Sequence, residues 1–174
     1  MKKTSLILLS TLLFLFSTIA KAEFNDGVVA YTMQDFDKAF PVFQSLAETS
    51  DHAMAQYWLG MMYLKGQGVE QDYENAGKWF RKAAEQRIPQ AQYKLGDLYY
   101  RGNGLPKDYE SAYIWFKVGE SHQHELSINA INKAKNKLSD EEMKEADKLI
   151  PDYIAKFGPR EDIDPSQLIK ISNE

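Results

Sequence analysis

Few side chains in this 174-residue chain could do chemistry. It has no cysteine, which excludes thiolate metal sites, thiol nucleophiles, disulfides and thioether-linked lipid anchors. Its three histidines are His52, His122 and His124. His122 and His124 are two positions apart, so on a helix they point to different sides and do not form the i, i+4 pair of a helical metal site. We therefore expect no metal centre and no cofactor.

Two glycine-rich loops invite comparison with phosphate-binding loops. They read Gly66-Gln67-Gly68 and Gly102-Asn103-Gly104. A dinucleotide-binding loop has a third glycine and follows a strand, and a Walker loop continues with Gly-Lys-Ser/Thr; neither pattern is present. Because glycine adopts the left-handed conformation that ends helices, we predict that both loops are helix-ending turns.

The remaining polar residues do not form a catalytic pattern. The sequence has no G-x-S-x-G elbow and no arrangement of Ser, His and Asp that suggests a triad. The pair Glu141-Glu142 is typical of solvated carboxylates at a helix N-terminus. With 25 acidic against 21 basic residues, the net charge of −4 argues against a nucleic-acid-binding protein. The sequence thus predicts a protein that is not an enzyme.

The elements that carry these residues are set by an internal repeat. Residues 55–80 align with residues 91–116 at an offset of 36 and are identical at 14 of 26 positions. The shared frame is A-Q-Y-x-L-G-x-x-Y-x-x-G-x-G-x-x-x-D-Y-E-x-A-x-x-W-F. Apolar positions four apart followed by a glycine turn, an aspartate cap and a second apolar stripe predict a helix-turn-helix unit.

Several positions of the frame have a structural role. A glycine inside a helix costs about 1 kcal/mol relative to alanine, so its recurrence in both first helices indicates that a neighbouring helix crosses there. The paired tryptophans keep one helical phase and are predicted to be core. The residues assigned to the structure of the repeat are Gly60, Gly66, Gly68, Trp79, Gly96, Gly102, Gly104 and Trp115.

Weaker copies flank the two clear ones. Residues 23–50 form a degenerate first repeat, in which Pro41 predicts a bent or shortened second helix. Residues 51–86 and 87–122 are the two good repeats. Residues 123–158 are predicted to be a closing helix pair, with Ile128 and Ile131 as apolar contacts, a capping box at Ser139 and a kink at Pro151. Residues 159–174 are predicted to be a polar, flexible tail.

The repeat frame resembles the Sel1-like repeat family, which is related to the tetratricopeptide repeats. The resemblance covers two units closely and implies an all-α, right-handed α-solenoid of about four helix-turn-helix repeats. It also implies that the protein is a non-catalytic adaptor that binds a protein or peptide. Roles in envelope assembly, signalling or host contact are all compatible with it.

The first 22 residues have the pattern of a signal peptide. Lys2 and Lys3 precede an apolar run, and Ala20-Lys21-Ala22 provides an A-x-A cleavage site. The run is shorter than the roughly 20 residues of a membrane span, so we expect no span after cleavage. The absence of cysteine leads us to expect no lipid anchor either. Cleavage would leave a net charge of −7. The expected location is the periplasm, with secretion as the alternative.

A partner-binding surface is predicted from the positions that differ between the two good repeats. In helical solenoids such positions on the stacked first helices select the partner. Trp58 is the clearest candidate because the next repeat has lysine there, although it could instead pack against the degenerate first repeat. The predicted partner-binding residues are Trp58, Met61, Met62, Lys65, Lys94, Asp97 and Arg101.

Two alternatives to an adaptor remain open. One is a secreted factor that acts on host proteins. The other is an envelope enzyme or enzyme inhibitor that uses the repeats only as a scaffold; it would have buried polar groups of perturbed acidity in one pocket.

Overall fold

The computed structural model describes residues 21–160, and these residues contain helices and turns but no strand. The leader up to residue 20 and the tail from residue 161 lie outside the described part. The first helix, α1, covers residues 21–32 of that part. The helices that follow are α2 Phe36–Thr49, α3 Ala53–Lys65, α4 Tyr73–Glu85, α5 Pro89–Arg101, α6 Tyr109–Ser121, α7 Glu125–Lys135 and α8 Asp140–Phe157. The predicted all-α repeat fold is confirmed.

The helices belong to two compact units. The N-terminal unit contains the described residues up to Ala83 together with Gly102–Pro106. The C-terminal unit contains Ala84–Arg101 and the residues from Lys107 onward. The loop before α6 therefore belongs to a different unit from the helices on either side of it.

The core of the N-terminal unit lies between α2 and α3. Its fully buried members include Phe43, Leu59 and Met62, and the rings of Phe24 and Trp58 pack against it. Trp79 also packs against this cluster but is only half-buried, and the Lys82 ammonium lies 4.4 Å from its ring centroid. The prediction that Trp79 is core is thus only partly right, because one face of its ring remains available to a cation.

In the C-terminal unit, α6 is the central helix. It is buried along most of its length and packs against α5, α7 and α8. Trp115 is buried against α8, with its ring centroid 5.7 Å from that of Tyr153 and 5.4 Å from that of Phe157. On α7 the buried positions are small residues, Ser127, Ala130 and Ala134.

The helical glycines of the repeat lie at helix crossings. A Cβ added to Gly60 would lie 2.8 Å from the Phe80 ring, and one added to Gly96 would lie 2.6 Å from the Phe116 ring. Both distances are shorter than real Cβ contacts. The same glycine–phenylalanine contact thus recurs at an offset of 36 residues, and it explains why the frame keeps a residue that weakens the helix itself.

The loop glycines have left-handed backbone conformations, with φ of 67° at Gly66, 69° at Gly68, 74° at Gly102 and 69° at Gly104. The second glycine of each loop also lies against the start of a second helix. A Cβ at Gly68 would overlap the Phe36 carbonyl and lie 2.9 Å from its carbon. A Cβ at Gly104 would overlap the Tyr73 carbonyl in the same way. Each loop therefore packs backbone to backbone on a neighbouring helix.

Side chains predicted to cap helices do so. Asp72 accepts a hydrogen bond from the Asn75 backbone N–H at 2.9 Å, and Asp108 accepts one from Ser111 at 3.0 Å. Ser139 and Glu142 form the complete capping box of α8. These bonds satisfy N–H groups that have no partner inside the helix.

Two expectations at the flanking repeats need correction. The helix at Pro41 is not shortened, since α2 extends from Phe36 to Thr49 through it. α8 likewise continues through Pro151, and a bend at Pro41 and a kink at Pro151 stay predictions. Each proline leaves the carbonyl four residues earlier, that of Asp37 or Asp147, without its helical donor, and both of these residues are exposed. Ile128 is 45% exposed rather than a core contact, because Ser127 is the residue of α7 that faces α6.

Two histidines cap helices, a role that was not foreseen. The His52 ring nitrogen Nδ1 accepts the Ala55 backbone N–H at 3.2 Å at the start of α3. At the start of α7, His124 Nδ1 accepts the Ser127 N–H at 3.3 Å. Burial lowers the pKa of both imidazoles, and in His124 the nearby His122 lowers it further. Since Nδ1 accepts a hydrogen bond only when it carries no proton, the cap and the lowered pKa both favour the neutral ring.

Acidification below about pH 6.5 is expected to destabilise the fold through these caps. The unfolded histidines have the ordinary pKa of 6.5, whereas the folded ones have a lower value, so the unfolded state binds more protons as the pH falls. The stabilisation is therefore complete above pH 6.5 and is lost as the pH drops through the lowered pKa. The measurement is the free energy of unfolding in urea between pH 7.5 and 5.

The control is the double variant His52→Asn, His124→Asn, because asparagine caps helices well and does not titrate. Its unfolding free energy should vary less with pH than that of the parent. An equal slope in both proteins would contradict the assignment.

Candidate partner-binding groove

A groove of about 500 Å³ opens on the surface of the N-terminal unit. It lies between the end of α1, the turn into α2, α3 and the loop that follows α3. Its lining consists of Tyr31, Thr32, Gln34, Phe36, Trp58, Lys65 and Gln67. Its volume is within the range of small-ligand pockets, which allows a few residues of a peptide to enter.

The floor of the groove is aromatic. The Trp58 ring stacks on Phe43, with centroids 5.9 Å apart. The Tyr31 ring centroid lies 4.6 Å from that of Trp58, and the two ring planes are tilted by 55°. Phe36 contacts Tyr31 edge-on at 5.3 Å. Trp58 is half-buried. One part of its ring packs on Phe43 of the degenerate first repeat, and the residue also lines the groove. The two alternatives for Trp58 are thus not exclusive.

A short polar network fixes the rim. The Tyr31 hydroxyl donates to Gln67 Oε1 at 2.8 Å, and the Lys65 ammonium donates to the Tyr31 oxygen at 3.4 Å. Gln34 has a left-handed backbone, with φ of 61°, and donates its N–H to the Tyr31 carbonyl. Ring contacts and hydrogen bonds together hold Tyr31 in one orientation, which reduces the entropy lost when a ligand binds.

The charge of the lining is one-sided. Lys65 is its cation, and its other members, all described residues, include no carboxylate. Lys65 itself is exposed at the end of α3. The groove thus combines an apolar aromatic floor with a positively charged rim.

The remaining predicted partner residues have different fates. Met62 is 0% exposed and Met61 is 9% exposed, so their prediction as partner contacts is wrong. Lys94, Asp97 and Arg101 belong to the C-terminal unit and are not part of the groove lining. There Arg101 Nε donates to both carboxylate oxygens of Asp97 at 2.9 Å, and the Lys94 ammonium lies 5.6 Å from the Tyr93 ring centroid.

Sequence reasoning missed the rim residues Tyr31 and Gln67. Tyr31 lies in the degenerate repeat, which the comparison of the two good repeats did not include. Gln67 is the middle residue of a glycine loop, and its replacement by Asn103 in the next repeat was the available signal.

Another missed residue is Gln92, which is fully buried in the C-terminal unit. Its Nε2 donates to the Ala84 carbonyl at 3.2 Å and to the Phe157 carbonyl at 2.8 Å. It therefore ties the start of α5 to the end of α8. Its identity with Gln56 in the shared frame could have indicated this structural role.

Among residues 21–160, no three His, Asp or Glu side chains come together as a metal-binding group. No helix in that range combines the length and the apolar character needed to cross a bilayer.

Comparisons with known proteins agree with the repeat architecture. The family model of the Sel1 repeat matches residues 53–87 and 89–118. No curated protein matches the sequence. The chain contains Sel1 repeats, as its frame predicts, and is a helical repeat protein.

The solved structures that are similar to it include two Sel1-type repeat proteins. One is a protective antigen present in uropathogenic Escherichia coli strains that displays an SLR fold, with 30% identity, 88% of this chain and 32% of that chain covered, and a TM-score of 0.75. The other is a Sel1 repeat protein from Oxalobacter formigenes, with 34% identity, 64% of this chain and 47% of that chain covered, and a TM-score of 0.61. The chain thus spans about a third and about half of the lengths of these relatives.

Proposed function

We propose that the protein is an exported, non-catalytic adaptor that binds a short peptide or one helix of a partner protein. The observation that carries the proposal is the groove of the N-terminal unit, where Trp58 and Tyr31 are held in place before any ligand binds. Tryptophan and tyrosine are frequent in the energetically dominant parts of protein interfaces. Sel1 repeats suggest protein partners, and the signal-peptide pattern supports export.

Catalysis by this groove is disfavoured by its chemistry. A nucleophile or general base needs a partner that activates it, such as an adjacent histidine or carboxylate. The described residues that line the groove include neither a histidine nor a carboxylate beside Thr32 or Lys65. The polar groups of the rim bond to one another and hold Tyr31 in place. This favours binding over an enzyme built on the repeats.

Blocking the groove should abolish partner capture. Thr32 is exposed at the end of α1, and its hydroxyl donates to the Val29 carbonyl, so Thr32→Arg fills the groove with little effect on the core. The bait is the protein after removal of its leader, used in an envelope extract. The variant should retain less than a tenth of the partner that the parent captures, a loss typical of a hot spot.

Thr49 provides a matched control. It is also an exposed threonine at the end of a helix, and its hydroxyl donates to the Ser45 carbonyl, but it does not line the groove. Thr49→Arg should capture as much partner as the parent. Equal capture by all three proteins would refute the groove as the binding site.

A second candidate is a factor released to act on host proteins. The observation in its favour is the similarity to a protective antigen of uropathogenic Escherichia coli. Fractionation of the producing cells separates the two proposals. Release by osmotic shock supports a periplasmic adaptor, whereas recovery from the culture supernatant supports the released factor. N-terminal sequencing of the recovered protein should begin at Glu23 if the leader is cleaved after Ala22.

A further inference from the structure

We infer that the groove selects a peptide in which an aromatic or large aliphatic side chain is adjacent to one internal aspartate or glutamate. This inference rests on the proposed binding function and specifies the chemistry of the partner. The apolar side chain would lie on Tyr31 and Trp58, and the carboxylate would pair with Lys65.

The apolar half follows from the floor. The ring centroids of Tyr31 and Trp58 lie 4.6 Å apart, and the Trp58 ring stacks on Phe43, whose exposure is 0%. Because Phe43 cannot move without opening the core, the two rings present a rigid surface. A rigid aromatic surface favours another ring or a large aliphatic group, which gains most from leaving water.

The polar half follows from the direction of the hydrogen bonds at the rim. Gln67 uses its oxygen to accept the Tyr31 hydroxyl, so the group it offers a ligand is its N–H2 donor. Lys65 has only donors. A rim whose Gln67 and Lys65 both offer donors favours a ligand rich in acceptors, and the positive charge of Lys65 favours a carboxylate.

The number of charges is also limited. Among the described residues that line the groove, Lys65 is the only cation, and the chain as a whole carries a net charge of −4. A run of acidic residues would therefore be repelled by the rest of the protein after its first carboxylate was paired. The groove is open toward solvent, so a chain can enter and leave it, which favours a carboxylate inside a peptide.

The test uses three end-blocked hexapeptides with central Phe-Glu, Phe-Gln or Ser-Glu, titrated into the full-length protein with the Trp58 indole N–H resonance as readout. Phe-Glu should bind about three to five times more tightly than Phe-Gln, which is the contribution of an exposed ion pair. Ser-Glu should bind more weakly than both. Equal binding of Phe-Glu and Phe-Gln would overturn the inference.

Two variants assign the preference to Lys65. Lys65→Gln should remove the difference between Phe-Glu and Phe-Gln, and Lys65→Glu should reverse it. The matched control is Lys82→Gln, since Lys82 is likewise an exposed lysine next to a tryptophan, Trp79, but does not line the groove. The Lys82→Gln variant should prefer Phe-Glu over Phe-Gln as strongly as the parent does. Loss of that preference in this control would also overturn the inference.

Failure of this inference is distinguishable from failure of the proposed function. If the peptides show no preference while Thr32→Arg still abolishes capture of the natural partner, the groove binds a partner of other chemistry. If Thr32→Arg captures as much partner as the parent, the groove is not the binding site and both proposals fail.

Discussion

Replacing Gly68 with alanine is expected to destabilise the protein by roughly 2–5 kcal/mol, whereas the same replacement at Gly66 costs roughly 1–2 kcal/mol. The two glycines belong to one loop and have nearly equal φ values of 69° and 67°. Both variants therefore pay the same cost of an L-residue in the left-handed region. They differ in what the new methyl group meets.

At Gly68 the methyl group would overlap the backbone carbonyl of Phe36, at the start of α2. A carbonyl in a helix cannot turn aside as the end of a side chain can, so the loop or the helix must shift. At Gly66 the nearest atoms are Cβ and the backbone nitrogen of Gln71, both at 3.3 Å, so the neighbour needs to yield by only a few tenths of an ångström. The difference between the two variants therefore measures mainly the overlap with the Phe36 carbonyl.

Urea denaturation followed by circular dichroism provides the two free energies. Gly104→Ala should behave as Gly68→Ala does, because its methyl group would overlap the Tyr73 carbonyl. Equal destabilisation at Gly66 and Gly68 would mean that the loop is free to move away from α2.

The second large effect is expected at Gln92. Gln92→Ala should cost roughly 2–4 kcal/mol, because it leaves a cavity in a fully buried site and removes two hydrogen bonds from Nε2. The bonded carbonyls keep other neighbours. Ala84 also accepts the Arg87 N–H at 3.0 Å, and the His122 ring lies 3.1 Å from the Phe157 oxygen. We therefore expect most of the cost to come from lost volume.

Gln92→Met separates the two contributions, since methionine fills nearly the same space without donating a hydrogen bond. It should recover at least half of the stability that alanine loses, because two ordinary hydrogen bonds contribute only about 1 kcal/mol each. Thermal and urea denaturation of the three proteins measure this. A methionine variant as unstable as the alanine variant would show that the hydrogen bonds dominate.

The helices of the fold were predictable because their signals are local. Helix-ending glycines, aspartate caps and the Ser139–Glu142 box each act within a few residues. The positions where local rules failed are tertiary in origin. The exposure of Ile128 depends on which residue of α7 faces Gly119 of α6, and that contact cannot be read from the spacing within α7.

The groove was predictable in part. Trp58 and Lys65 were identified by comparing the two good repeats. The next repeat has Lys94 at the position of Trp58 and Arg101 at the position of Lys65. The same comparison wrongly included Met62, which corresponds to Leu98. Both are large and apolar, and such a substitution preserves packing volume, so it indicates core and not a variable surface. Tyr31 and Gln67 depend on a contact across 36 residues that only the folded chain shows.

The membership of Gly102–Pro106 in the N-terminal unit has a consequence for how such a chain can be divided. The polypeptide crosses between units at 83/84, 101/102 and 106/107. A gene fragment that ends at residue 83 lacks the loop whose glycine packs on the first residue of α4. Neither unit is therefore encoded by a continuous stretch of DNA. Recombination can duplicate or delete a repeat of 36 residues. It preserves the contact between Gly104 and the Tyr73 carbonyl only if α4 and the loop Gly102–Pro106 move together.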